Sequence, residues 1–363
     1  EPLVWAGGRA TLSSRHVSHA DHTIASAWLL EALGDLDGAV VSRHPFTYGG
    51  RTLHNLVAEI PGTDPSLDPV VIGAHYDSIA SLDPSGTWTS DQPAPGADDD
   101  ASGVAAVLEV GRVLSASGPF RRDIQLVLFT PEEEGLVGSF AYVDDRVAAG
   151  EGVAMAFILD PVGHNPGDAW VLWFSHDAAS EDHALALADT AAVVGSLLDP
   201  QPVDEALIGG DERSDHYPFW AAGFPALHLG TFPLPDTYHT MADTAEVVDA
   251  AFTREVAALV AARVGEVALP DTEHRGGCVT APLGLSGLGL LLLRARPLDP
   301  TLLSLAFRLE DLGVQVVNGP AGLARLASKA WLALMAPTTC NGDSSWTALR
   351  NAAPADWIMG SPG

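Results

Sequence analysis

Lysine is almost absent from this chain, whose 363 residues contain a single one, Lys329. A P-loop needs a lysine within a glycine-rich loop, and no segment matches that pattern, so P-loop nucleotide hydrolases are excluded. Schiff-base chemistry on a lysine is excluded for every residue before Lys329. Long apolar runs are also missing, and none approaches the ~20 residues of a membrane span. No transmembrane bundle is therefore expected.

Positive charge is scarce throughout. The chain has 18 Lys and Arg against 47 Asp and Glu, which gives a formal net charge of −29. A protein this acidic would repel a phosphate backbone, so nucleic acid is not an expected partner. Hydrophobic residues make up 47% of the chain, enough for a large buried core.

The charge distribution predicts a domain boundary near Leu269. The acidic excess lies entirely before this point, and residues 271–363 carry equal numbers of acidic and basic groups. We predict a main domain over 1–268, a linker over 269–300 and a C-terminal segment of uncertain structure over 301–363. Because Cys278 and Cys340 both follow the boundary, the main domain cannot form a disulfide within itself.

The linker contains Gly-Gly-Cys and a short Gly- and Leu-rich run that ends in arginines. It resembles the C-terminal sorting tails of exported bacterial proteins. A buried apolar hairpin or helix is the alternative interpretation.

Short apolar runs alternate with amphipathic stretches over the main domain, which predicts an α/β fold. We expect a mixed, centrally parallel β-sheet sandwiched by helices. The predicted strands are 40–44, 53–60, 70–74, 124–129, 154–159 and 225–229, and the predicted helices are 22–33, 103–115, 139–149, 183–194 and 247–264.

Polar side chains follow three of the buried strands where each strand ends. His75 follows the strand at 70–74, Glu132 and Glu133 follow 124–129, and Asp160 follows 154–159. In open parallel sheets, ligands bind at the carboxyl ends of the strands. These side chains are therefore expected to converge on one site.

Five residues form a candidate metal-ligand set of imidazoles and carboxylates without thiolate: His75, Asp99, Glu133, Asp160 and His239. Such donors suit zinc, cobalt or manganese. Five are too many for one tetrahedral ion with an open position, but they suit two ions about 3.5–4 Å apart that share a carboxylate. Asp99 lies in a glycine-held loop, a rigid place for the shared ligand. Asp77 is placed to accept the ring N–H of His75.

Six segments of the main domain resemble the di-zinc aminopeptidases of peptidase family M28, and bacterial secreted leucine-type enzymes are the most similar in pattern. These segments are GAHYDS, PGADDDASG, PEEEGLVGS, the ILD ending at Asp160, RSDHYPF and YHTMADT. The resemblance spans about residues 10–265 and implies the zinc-dependent exopeptidase fold. It also implies two zinc ions per chain, peptide substrates with a free N-terminus, and a secreted or cell-surface bacterial location.

The resemblance assigns the five ligands to two zinc ions. It implies that His75 and Asp160 bind one ion, that Glu133 and His239 bind the other, and that Asp99 bridges them.

The resemblance also implies the catalytic roles. Glu132 would be the general base and then the general acid, and the glycine at position 135 leaves Glu134 as the variable acid of the triplet. Tyr238 would contact the scissile carbonyl oxygen. Asp160 and Glu132 would hold the substrate's ammonium group, and Arg213 is a weaker candidate for contacting its carboxyl side.

Three alternatives remain open from the sequence. The same fold hosts carboxypeptidases and glutaminyl cyclases, and some relatives are non-catalytic ectodomains that bind partners. The chain lacks cysteines near residues 205–215, where one branch of the family has a disulfide-held loop, so the specificity pocket is not predicted. His216 and His228 are interpreted as structural histidines.

Overall fold

A computed structural model describes residues 12–208 and 211–269. The chain divides into two units at Asp271, and the described residues all belong to the first unit. The predicted segment 301–363, and the linker beyond Leu269, lie outside the described residues. Within the described ranges, no helix is both long enough and apolar enough to cross a membrane.

The core of the described domain is an eight-stranded sheet with the order β1-β2-β4-β3-β5-β8-β6-β7. Its four central strands β4, β3, β5 and β8 are parallel, while β1, β2 and β6 pair antiparallel to their inner neighbours. The edge strand β7 runs parallel to β6. The strands are β1 Val40–Tyr48, β2 Arg51–Ile60, β3 Val70–His75, β4 Ile124–Phe129, β5 Met155–Leu159, β6 Val171–His176, β7 Asp199–Asp204 and β8 Ala226–Gly230.

Helices cover both faces of this sheet. Because neighbouring residues of a strand point to opposite faces, one strand packs against helices on both sides. On β4, Leu126 packs at Gly111 of one helix, while Val127 joins the apolar cluster that contains Tyr142 and Phe219 of two others. The helices are α1 Ala20–Gly34, α2 Ala101–Ser117, α3 Val137–Ala149, α4 Glu181–Val194, α5 Glu205–Ile208, α6 Tyr217–Ala221 and α7 Ala250–Val267.

This architecture confirms the predicted mixed, centrally parallel sheet with helices on both faces. The β1–β2 hairpin turns at Gly49 and Gly50, whose φ angles of 56° and 74° lie in the left-handed region that favours glycine. The sequence prediction missed β6, β7 and the short helices α5 and α6.

The carboxyl ends of β3, β4 and β5 lie at the same edge of the sheet, since the three strands are parallel. Helix α2 begins at this edge, where the Asp100 side chain accepts the N–H of Gly103 and caps the helix. A side chain at position 103 would collide with the main-chain oxygen of Leu159, so glycine allows α2 to start close to the end of β5. The fold thus directs the loop that carries Asp99 toward the strand ends.

Candidate metal centre

The five predicted metal ligands lie together at the carboxyl edge of the sheet. His75 Nε2 is 3.1 Å from Asp99 Oδ1 and 3.5 Å from Asp160 Oδ1. On the other side of the same carboxylate, His239 Nε2 is 2.8 Å from Asp99 Oδ2 and 3.1 Å from Glu133 Oε2. Asp99 therefore stands between two imidazole–carboxylate pairs, with one oxygen directed at each pair.

Several buried atoms of this cluster have no hydrogen-bond partner. Among them are His75 Nδ1 and Glu133 Oε1. Buried polar atoms are normally hydrogen-bonded, so lone pairs without donors inside a carboxylate cluster indicate that a cation belongs there. Nitrogen and oxygen donors without thiolate fit a divalent ion of the zinc type.

Burial and close contacts between imidazoles and carboxylates perturb the pKa values in this cluster. Burial, together with the charge of Asp99, raises the pKa of Glu133 to about 7. Burial would lower the pKa of His239, but its hydrogen bonds to Asp99 and Glu133 outweigh that effect and raise it to about 10. The pKa of Asp99 is lowered, because the two imidazoles outweigh its burial. The carboxylates thus favour positive charge between them.

Glu132 and Tyr238 line a cavity of about 240 Å³ at the candidate metal centre, with Leu136, Glu212 and Arg213 on its walls. The side chain of Glu132 is buried, and burial raises the pKa of its carboxyl group well above the usual value. The ring of Tyr238 stacks on His239, with ring centres 3.8 Å apart.

Asp77 lies beneath the ligands as a fully buried carboxylate. Its two oxygens accept the main-chain N–H groups of Glu132 and Glu133, at 3.0 and 3.2 Å. The nearest oxygen is 3.6 Å from His75 Nδ1, longer than a hydrogen bond. Asp77 therefore holds the main chain of the glutamate pair more closely than it holds the imidazole.

Glu134, the third acid of the triplet, points away from the cluster. One of its oxygens is 3.2 Å from His16 Nε2, and the other accepts the Tyr48 hydroxyl at 2.9 Å. This placement agrees with the register in which Glu132 and Glu133 are the functional pair.

Two residues that sequence reasoning did not assign hold the loop of Asp99. Asp243 accepts the main-chain N–H groups of Asp98 and Asp99. The buried guanidinium of Arg15 donates to the main-chain oxygens of Tyr76, Pro95 and Gly96. Asp243 lies within the YHTMADT segment, so the sequence could have pointed to it. Arg15 lies in none of the six segments.

A second cluster of titratable groups lies behind Asp160. Asp211, His216 and His228 place ligand-type atoms within 4.8 Å of one another. Burial lowers the pKa of His216, whereas for His228 the contact with Asp211 outweighs burial and raises the pKa. Arg213 is 57% exposed and donates from Nε to Asp211 at 3.0 Å.

Comparison with protein families matches residues 55–264 to Peptidase family M28, more than half of the chain. The chain belongs to peptidase family M28. This confirms the resemblance read from the six segments.

Sequence and structure similarities to known proteins are consistent with membership of this family. Leupeptin-inactivating enzyme 1 of Streptomyces exfoliatus is 31% identical over 194 residues, which are 53% of this chain and 39% of that protein. The chain thus spans well under half the length of this relative. The crystal structure of the Legionella pneumophila LapA aminopeptidase shares the fold, with a TM-score of 0.61 and 23% identity over 71% of this chain and 68% of that one. The Porphyromonas gingivalis glutaminyl cyclase shares it too, with a TM-score of 0.58 and 22% identity over 70% and 92%.

Proposed function

We propose that this M28 member is an aminopeptidase that binds two zinc ions and hydrolyses the N-terminal peptide bond of peptides. The observation that carries the proposal is the position of the Asp99 carboxylate between two imidazole–carboxylate pairs. In this assignment His75 and Asp160 hold one ion, Glu133 and His239 hold the other, and Asp99 bridges them. The absence of thiolate and the histidine–carboxylate mixture suit zinc in a hydrolytic site.

Two zinc ions bound there would supply Lewis acidity to the scissile carbonyl group and to the attacking water. Glu132 lines the same cavity and is not a member of either ligand pair. Its carboxylate takes a proton from the water as the water oxygen bonds to the carbonyl carbon. When the C–N bond breaks, Glu132 gives that proton to the leaving nitrogen, so the carboxylate is restored at the end of the cycle.

Neighbouring side chains stabilise and orient the substrate. The phenol of Tyr238 donates a hydrogen bond to the carbonyl oxygen as that oxygen gains negative charge. The carboxylates of Asp160 and Glu132 attract the ammonium group of a free N-terminus. Because an internal peptide bond has no such ammonium nearby, this attraction favours cleavage at the first residue. Arg213 lies on the cavity wall, and from there it would contact the carboxyl side of the peptide.

The alternative activities differ in their products and in their metal requirement. A glutaminyl cyclase works with one zinc and releases ammonia from an N-terminal glutamine, and a carboxypeptidase shortens the other end of the peptide. The likeness to a cyclase structure concerns the fold alone and does not favour that reaction.

The test is a substrate comparison with the purified full-length chain. Leucyl-p-nitroanilide and N-acetyl-leucyl-p-nitroanilide are assayed in parallel, and a glutaminyl peptide is followed by mass spectrometry. We expect cleavage of the free-amine anilide and none of its acetylated counterpart. Cyclisation of the glutaminyl peptide without cleavage of either anilide would reassign the chain to the cyclases. Inactivity towards all three substrates would favour a binding ectodomain.

A further inference from the structure

His228 lies directly behind the metal centre and was interpreted from the sequence as a structural histidine. Its Nε2 is 2.7 Å from the main-chain oxygen of Asp160, and its Nδ1 is 2.8 Å from Asp211 Oδ2. A carbonyl oxygen and a carboxylate oxygen can only accept hydrogen bonds. His228 therefore links the Asp211 carboxylate to the main chain of Asp160 through its two ring nitrogens.

The Asp211 carboxylate is fixed by two further donors. Ser175 Oγ donates to Oδ2 at 2.6 Å, and Arg213 Nε donates to Oδ1 at 3.0 Å. The main-chain oxygen of Asp211 accepts from His216 Nε2 at 2.9 Å. Asp211 is only 1% exposed, so its contact with His228 lies almost out of reach of water. With this many contacts, Asp211 has little freedom to move.

Asp160 is held through both of its main-chain groups. Its N–H donates to the main-chain oxygen of Leu229, at the end of the β5–β8 pairing. Its carbonyl oxygen accepts from His228, one residue earlier on the same strand β8. The side chain between these two hydrogen bonds is the carboxylate that faces His75.

A third metal site built from Asp211, His216 and His228 is the competing interpretation. The two imidazole rings are stacked, with centres 4.6 Å apart and planes inclined by 14°. Ring nitrogens direct their lone pairs within the ring plane, so nearly parallel rings do not aim at a common point. In addition, both nitrogens of His228 already serve hydrogen bonds. The contacts describe a hydrogen-bond network.

We propose that Asp211 and His228 are a positioning pair that fixes the main chain at Asp160 and so directs its carboxylate into the metal centre. The inference rests on the proposed function, because it gives Asp160 the role of a ligand. Groups that orient metal ligands in this way typically contribute about 10–100-fold to metal affinity or activity.

The test compares His228→Gln and Asp211→Asn with the unmodified full-length chain. Glutamine cannot reach both partners as the imidazole ring does, whereas asparagine keeps an oxygen that can accept from His228. His176→Gln is the matched control, since this histidine is also buried and its ring contacts the main-chain oxygen of Asp177 instead. Zinc binding is titrated against a competing chelator, circular dichroism verifies folding, and kcat and KM are measured at each free zinc concentration.

We expect one of the two bound zinc ions to bind ~10–100-fold more weakly in His228→Gln, with the second ion unaffected. Asp211→Asn should show the same change to a smaller extent, and His176→Gln should titrate as the unmodified chain does. In His228→Gln, kcat should recover as free zinc is raised.

Three results would contradict the proposal that Asp211 and His228 position Asp160. Folded variants that bind both ions with unchanged affinity would contradict it. Loss of folding in both variants would show that the two residues have a purely structural role in the core. If the unmodified chain fails to bind two ions, the proposed function itself is contradicted. Asp160 would then have no role as a ligand for the pair to position.

Discussion

Asp243 accepts the main-chain N–H of Asp99 at 3.1 Å, although 144 residues separate them in the chain. Its other oxygen accepts the N–H of Asp98 at 2.9 Å. Asp243 follows His239 by four residues, so one loop provides both a predicted ligand and the clamp on the predicted bridging ligand. The two halves of the metal centre are thereby fixed relative to each other.

Replacing Asp243 by asparagine should loosen this clamp. The amide has a single accepting oxygen, so one of the two buried N–H groups loses its partner. A buried donor left without a partner typically lowers the free energy of unfolding by about 1–3 kcal/mol. Urea denaturation of the Asp243→Asn variant measures the loss. The exposed Asp91→Asn should change stability by less than about 0.5 kcal/mol, and an equal loss in both variants would contradict the clamp.

The glutamate triplet offers a test of the proton-transfer group. Glu132→Gln keeps the size of the side chain but cannot take a proton from water, so kcat should fall by a factor of about 10²–10⁴. Both metal ions should remain bound, because Glu132 belongs to neither ligand pair. Steady-state kinetics with leucyl-p-nitroanilide, together with metal analysis, checks both statements.

Glu134→Gln is the matched control for that variant. Its carboxylate contacts His16 and Tyr48 outside the cluster, so kcat should stay close to that of the unmodified chain. A large loss of kcat in Glu134→Gln with little effect in Glu132→Gln would show that the functional pair is shifted by one residue.

Much of the fold follows from local patterns of apolar residues that are visible in the sequence. Strands β3, β4 and β5 are short apolar runs buried on both faces, and they were predicted within a residue or so. Strand β7 was missed because its sequence DPQPVD contains two prolines and few apolar residues. Proline is tolerated there because β7 is an edge strand of the sheet.

The candidate site was predictable only where ligands follow recognisable strands or lie in family-like segments. Arg15 reaches it from a part of the chain about 80 residues before the loop that it holds. The contact between Asp211 and His228 depends on how β8 places one residue against a loop, and no spacing rule reveals that. Long-range contacts of this kind have no local signature.

Folding stability should depend on the protonation of His22. Burial lowers the pKa of this imidazole to about 4, below the ~6.5 of an unfolded chain. As the pH falls from 7 towards 4, the unfolded state takes up the proton first, so stability is lost. The loss between pH 7 and pH 4.5 should be about 2 kcal/mol smaller in His22→Gln.

Urea denaturation of both proteins at these two pH values measures the difference. Thr130, which contacts the His22 ring at 2.9 Å, should accommodate the glutamine amide, so the variant is expected to fold. Equal pH dependence of the two proteins would show that His22 titrates alike in both states.

Metal stoichiometry tests the central claim most directly. The purified full-length chain is dialysed against buffered zinc and its metal content is measured, with leucyl-p-nitroanilide hydrolysis followed before and after removal of the metal by a chelator. Two zinc ions per chain are predicted, with hydrolysis that disappears on chelation and returns when zinc is restored. A content of one ion or none, or hydrolysis that persists in metal-free protein, would contradict the assignment of a two-ion aminopeptidase centre.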